Sequence, residues 1–429
     1  MIRIGRKTAA VLIFTSAFLL RAVYSFHLPR ETIEPDERIY SDLAANFLAG
    51  RGLISNQDFK RDIFRPGQAA PPATSRYRYA AFPPFYPFFL AGLYLAGVRS
   101  LIGVRLVQAV VGALSCLALA WIAENIAGGR SRGEKIAGLA AGMMAFYPPL
   151  IRYSSLLLTE TVFVFLVMAM VAFLLRFREK ERPSISVLAG LFAGMGILCR
   201  PTLIPFTVLA AVWLWFRASS RRAAFAPFIL AAALVLTPWT ARNYRLLGRL
   251  IPVTTQGGSN LYLANNPLSR GGTVSRGELV AAGIFHLGED EDEVEYNRGY
   301  GRLARNFIRA HPLRFLKLSL RRLAWFYHLD GHRLEFWYLL IPFWLVLLTG
   351  LGGIYLAWRR KWEWSLPALF ILIFTIIHMT FLPEGRYRLP LMPFFLLFSA
   401  ITLTTLSDGA GKRRKAVSNP EEGFSHGKP

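Results

Sequence analysis

The chain has 429 residues, of which 54% are hydrophobic and 18% charged, with a formal charge of +24. A protein of this length and apolarity is not water-soluble unless lipid solvates much of it. The charge would suit a nucleic-acid partner, but basic residues gather in short gaps between apolar runs, at 3–7, 130–135, 176–182, 217–222, 359–361 and 412–415, which is the positive-inside pattern of a polytopic membrane protein.

The first apolar run, Ala9 to Leu20, follows a basic start and leads into Tyr24-Ser25-Phe26-His27, which is no small-residue cleavage site. It predicts a retained first helix over 8–27. Nine more spans are expected, over 103–127, 136–151, 157–175, 185–199, 201–216, 223–241, 336–357, 364–381 and 387–406. The stretch 82–98 is nearly long enough to cross, but counting it would invert every later loop, so it is expected to be juxtamembrane or re-entrant. Cys116 and Cys199 fall inside expected spans as ordinary packing and say nothing of redox compartment.

This pattern describes an all-α polytopic bundle of about ten transmembrane helices (nine to eleven), one domain over 1–406 with a disordered cytoplasmic tail over 407–429. Both termini are expected in the cytoplasm, and two long loops, 28–81 and 242–335, on the extracytoplasmic side. In the first loop Pro35-Asp36-Glu37 opens a helical pattern of Ile39, Leu43, Phe47 and Leu48 that ends at Gly50 and Gly52. In the second, 312–327 interleaves Leu, Phe and Trp with Arg314, Lys317, Arg321 and Arg322, the composition of a helix lying in the interface and able to guide an anionic head group.

Candidate chemistry collects where the spans meet these loops. Asp36 and Glu37 stand just beyond the first helix, where a carboxylate can act as a base or simply cap the next helix. Glu160, opening the fourth span, carries the same two readings. Arg152, Arg200, Arg242, Arg245, Arg386 and Arg388 fall on the same face, and guanidinium groups grip phosphate oxygens, although each can also be a side chain snorkelling to the interface. Tyr40, Tyr153 and Tyr387 adjoin them as candidate cleft residues. His328, Asp330 and His332 suit a loop better than a metal site, and the acidic run 289–293 reads as a solvated helix start. Gly257-Gly258 and Asn265-Asn266-Pro267 are turn chemistry, and no Walker, Rossmann or nucleophile-elbow motif is present.

In order and placement, Pro35-Asp36-Glu37, Phe82-Pro83-Pro84-Phe85-Tyr86-Pro87, Tyr153 to Glu160, Thr237-Pro238-Trp239-Thr240-Ala241-Arg242-Asn243-Tyr244 and Arg386-Tyr387-Arg388-Leu389-Pro390 resemble the GT-C superfamily of integral-membrane glycosyltransferases. The resemblance is to the branch of protein O-mannosyltransferases and the lipid A aminoarabinose transferase. It implies a polyprenyl-phosphate sugar donor, a lipid, glycan or protein acceptor, a site facing away from the cytosol in a bacterial inner or plasma membrane, and inversion at the anomeric carbon. Asp36 would match the catalytic aspartate, Glu37 its acidic neighbour, Glu160 the acidic position by the later loop, and Arg386 and Arg388 a basic stretch near the last span. No cofactor is obvious and a divalent metal stays open. The rival readings are a transporter or flippase for a lipid-linked saccharide and a non-catalytic scaffold subunit.

Overall fold

The computed structural model describes residues 5–32, 34–53, 80–127, 130–272, 274, 276–284, 292–327 and 337–418. His328, Asp330 and His332, residues 289–291 of the acidic run and 54–79 of the first loop lie outside them. Among the described residues the secondary structure is helical, with no strand: α1 Arg6–His27, α2 Pro35–Leu48, α3 Phe85–Leu95, α4 Leu101–Ile126, α5 Arg130–Phe146, α6 Pro148–Ser154, α7 Thr159–Lys180, α8 Pro183–Cys199, α9 Ile204–Arg217, α10 Arg221–Leu247, α11 Gly257–Ala264, α12 Arg276–Ala281, α13 Glu293–Ala310, α14 Pro312–Phe326, α15 Trp337–Arg359, α16 Ser365–Thr380 and α17 Met392–Ser418. Short 3-10 turns precede α9 and α17 at Pro201–Leu203 and Gly385–Leu391.

The protein is an integral membrane protein. Among the described residues six helical segments are long and apolar enough to cross a bilayer: Arg6–His27, Leu101–Ile126, Thr159–Lys180, Ala224–Leu247, Ile341–Arg359 and Gly385–Ala410. The expected spans at α8, α9 and α16 are shorter apolar helices. So is α3, whose 11 residues rise only about 17 Å against the roughly 30 Å of a hydrocarbon core.

Three boundaries depart from the sequence expectation, each for a local reason. The span expected at 136–151 is broken at Tyr147 into α5 and α6, because Pro148 and Pro149 cannot donate to the preceding turn. The span expected to end at 241 runs on to Leu247 through Pro238, with the Thr237 and Thr240 hydroxyls bonding the carbonyls of Ala233 (2.8 Å) and Leu236 (3.0 Å), and stops at Gly248 in the left-handed conformation (φ 61°). Helix α17 continues to Ser418, so the first part of the tail expected to be disordered from 407 is helical.

Close backbone approach holds the bundle together. Helix α4 packs on α1, α5 and α7, while α8 fills the space between α7 and α10. Gly190 and Gly194, one turn apart on α8, lie against Phe228, Ala231, Ala232 and Val235 of α10, where any larger side chain would collide with backbone. On the other side α15 meets α17 through Gly350 and Gly353, set against Phe395 and Phe398. Leu230 and Leu234 of α10, and Leu345 and Leu348 of α15, are more than half exposed and face outward, where lipid solvates them.

Candidate active site

A buried polar framework fixes the ends of the helices around α2. In α4, Arg105 donates to the carbonyls of Pro29 (2.8 Å) and Glu31 (3.3 Å), pinning the α1–α2 connection. One turn along, Gln108 accepts from the Tyr86 hydroxyl of α3 at 2.8 Å and donates to the carbonyls of Ser154 (3.1 Å) and Leu156 (2.7 Å). Glu37 completes the lattice: one carboxylate oxygen accepts the Glu34 N–H at the start of α2, forming a capping box, and the other accepts the Leu157 N–H just before α7, both at 2.9 Å. The framework therefore brings the first turn of α2, with Asp36, beside the first turn of α7, with Glu160.

Into that junction comes the 3-10 turn ahead of α17. Arg386 reaches Asp36 (2.8 Å), Glu384 (2.8 Å) and, at 4.0 Å, Glu160. Arg200, from the α8–α9 connection, pairs with Glu160 at 2.6 Å and donates to the Thr159 hydroxyl at 2.8 Å. The Tyr387 ring lies between the two cations, 5.4 Å from each guanidinium centre, with His378 of α16 5.2 Å away. Tyr40 packs edge-on to Tyr86 at 5.1 Å, and burial, then the adjacent Asp36 carboxylate, push its hydroxyl well above the ordinary phenol range, so it stays a neutral donor. Burial and Glu160 raise Tyr153 likewise.

Exposure separates the carboxylates. The Glu160 side chain is only 2% exposed, whereas Asp36 and Glu384 are 35% and 37% exposed. A solute entering from this end of the bundle meets Asp36, Glu384 and Arg386 first, with Glu160 and Arg200 behind as a buried pair. Arg152 of α6 is half-buried near Tyr153 and forms no ion pair among the described residues.

Other sequence candidates go elsewhere. Glu37 is fully buried and gives both oxygens to backbone N–H groups. Arg242 lies over Trp239 at 4.5 Å and bonds the Asn243 side chain, and Arg245 forms no ion pair among the described residues. The motif around them fastens the returning chain: Trp239 and Asn243 donate to the carbonyls of Val253 (2.7 Å) and Ile251 (3.0 Å). Arg388 turns toward α15, 4.5 Å over Phe343. In the acidic run, Asp292 caps α13 and Glu293, read as solvated, is buried, accepting from the Ala80 N–H (3.1 Å) and the Thr255 hydroxyl (3.3 Å). Arg322 of the expected interfacial helix is buried too, donating to the carbonyls of Met379 and Ala264, and burial lowers its guanidinium to about 10. Arg105, Gln108 and the similarly buried Arg21, none of them expected as framework groups, carry their own sequence signal, since polar side chains inside apolar spans are rare and costly. Among the described residues no group of three His, Cys, Asp or Glu is placed to hold a metal.

Residues 82–241 match the family model described as dolichyl-phosphate-mannose-protein mannosyltransferase, a match that covers less than half of the chain. No curated protein matches. In fold the chain is similar to the oligosaccharyltransferase AglB from Archaeoglobus fulgidus in complex with an inhibitory peptide and a dolichol-phosphate (TM-score 0.56, 15% identity, 99% of this chain and 53% of that chain). The same archaeal enzyme tethered with an acceptor peptide gives TM-score 0.56 at 14% identity over 97% of this chain and 51% of that one. The chain thus spans about half the length of the archaeal enzyme. ArnT from Cupriavidus metallidurans bound to undecaprenyl phosphate aligns over 94% of this chain and 79% of that one at 15% identity, with a TM-score of 0.38 that carries no further argument. The GT-C resemblance noted in the sequence thus recurs in the family model and in the fold.

Proposed function

We propose that the protein is a membrane glycosyltransferase that moves a sugar from a polyprenyl-phosphate carrier to an acceptor hydroxyl on the extracytoplasmic face, with inversion. The observation that carries this reading is the convergence of Asp36, Glu160, Arg200 and Arg386 from four distant parts of the chain at one end of the bundle. A scaffold subunit has no use for such a cluster. The dolichol-phosphate bound by AglB is the same class of ligand.

The chemistry follows from the ion pairs. Arg386 is held by Asp36 and Glu384, so an incoming phosphate diester competes with these carboxylates for one guanidinium. Once the phosphate takes Arg386, the Asp36 carboxylate is released from its ion pair and its oxygen is free to meet the acceptor hydroxyl. The acceptor hydroxyl gives its proton to Asp36 as its oxygen bonds the anomeric carbon. The bond from that carbon to the phosphate oxygen breaks, and its electron pair stays on the departing polyprenyl phosphate, whose added charge Arg386 and Arg152 receive. Glu160 and Arg200 hold the Tyr387 turn in place behind them.

Asp36→Asn is expected to insert and fold normally yet lose about 10² to 10⁴ in transfer rate from a polyprenyl-phosphate sugar, assayed with purified protein in detergent. Wild-type turnover would remove Asp36 from the mechanism. Because the assay has no second compartment, transfer there also distinguishes an enzyme from a flippase. Fixed positive charge fills the role of a cation in this scheme, so EDTA is expected to leave turnover unchanged. A loss restored by added Mg²⁺ or Mn²⁺ would put a metal at the carboxylates instead.

A further inference from the structure

A second polar recess lies at the other end of the bundle. It is a cavity of about 490 Å³ lined by Arg178, Arg217, Arg359, Lys361, Glu363 and the indoles of Trp358, Trp362 and Trp364. Arg178 is eighteen residues along α7 from Glu160, which places the recess about 27 Å from the Asp36 cluster. Its only carboxylate is already engaged: Glu363, 7% exposed at its side chain, pairs with Arg178 (2.8 Å) and Arg217 (3.7 Å) and accepts from the Ser365 hydroxyl (2.7 Å), which in turn accepts from Trp213 (3.0 Å). Arg359 and Lys361 face the same cavity with no ion pair among the described residues. Lys361 sits at φ 57°, a left-handed conformation that side chains rarely adopt, in the turn that closes α15.

We infer that this recess binds a phosphate ester, namely the head group of an anionic bilayer lipid in the leaflet opposite the Asp36 cluster. Four cations against one internally paired carboxylate leave a surplus of three positive charges, so an anion is the complementary ligand. Guanidinium and ammonium donors around a cavity of this size suit phosphate oxygens. The tryptophans fix the depth, since indoles collect where head groups meet hydrocarbon. Trp358, 56% exposed at the rim, leaves the acyl chains a way out into the bilayer.

The test uses the full chain, purified from nanodiscs containing equal phosphatidylglycerol and phosphatidylcholine, with retained lipid measured by mass spectrometry. Phosphatidylglycerol is expected to be enriched about tenfold, and the Arg359→Gln/Lys361→Gln double variant to lose that enrichment. These side chains lie outside the Glu363 network, so thermal stability and sugar transfer stay at wild-type levels. In a parallel arm, calorimetry with inorganic phosphate on lipid-free protein reports the soluble source. Phosphate heat that disappears in the double variant, without lipid enrichment, would assign the recess to a soluble phosphate ester and overturn the lipid. Absence of both signals, or lipid enrichment undiminished in the double variant, would overturn the site itself.

Discussion

At the residue scale, adjacent carboxylates one bond apart in sequence do different work. Asp36 is partly open and held by a single arginine, whereas Glu37 is closed off and bound by two backbone N–H groups. Glu37→Gln keeps one acceptor oxygen and presents an amide to the other N–H, leaving a buried donor unsatisfied at a cost of about 1–3 kcal/mol. Its expected signature is a lowered Tm in detergent with near-normal turnover per folded molecule. A normal Tm with lost turnover would instead make Glu37 a participant in the chemistry. Arg386→Lys is expected to cost about 10² in transfer rate, since a lysine cannot bridge Asp36 and Glu384 while lying against Tyr387. Donor-concentration kinetics would read the loss, and unchanged kinetics would release Arg386 from its role. Asp36, Glu160 and Arg386 were legible together because each stands where an apolar run ends on the same face. The role of Glu37 was not, because its partner N–H belongs to Leu157, 120 residues away.

At the element scale, the helices were legible from apolar length and their ends were not. The span expected to end at 241 runs six residues further, with two threonine hydroxyls bonding carbonyls around Pro238, so Arg242 and Arg245 ride on helix where sequence put them in a loop at the site. Pro148 and Pro149, lacking such support, do break their helix. Glycines give the sharpest test of packing. A Cβ at Gly353 of α15 would run into the backbone of Phe398 in α17, and no rotamer relieves a backbone clash. Gly353→Leu is expected to separate the two helices and lower the yield of folded protein on size-exclusion chromatography. Gly142→Ala, at a helical position of α5 where an added methyl meets nothing within 4 Å, is expected to be neutral or stabilising by up to about 1 kcal/mol. Equal behaviour of the two variants would contradict the α15–α17 contact.

At the scale of the whole molecule, the two ends of the bundle differ in chemistry. One end gathers Asp36, Glu160, Glu384, Arg200 and Arg386 into internally paired charge, and the other carries the Arg359–Lys361 turn and the surplus of positive charge. In the sequence, the basic gaps between spans give the expectation that the basic end faces the cytosol, because transfer of basic loops across a membrane is disfavoured. The proposed reaction requires that the Asp36 end face away from the cytosol. Cys116 and Cys199 are buried, so single cysteines introduced at exposed positions report against a quiet background. Arg38→Cys, on the exposed side of α2, is expected to react with a membrane-impermeant maleimide added to intact cells, and Arg359→Cys only after the membrane is opened. The reverse pattern would place Asp36 in the cytosol, out of reach of an extracytoplasmic acceptor. Labelling of both from outside would place the two ends on one side, which the length of α7 between them forbids for a helix that crosses the bilayer.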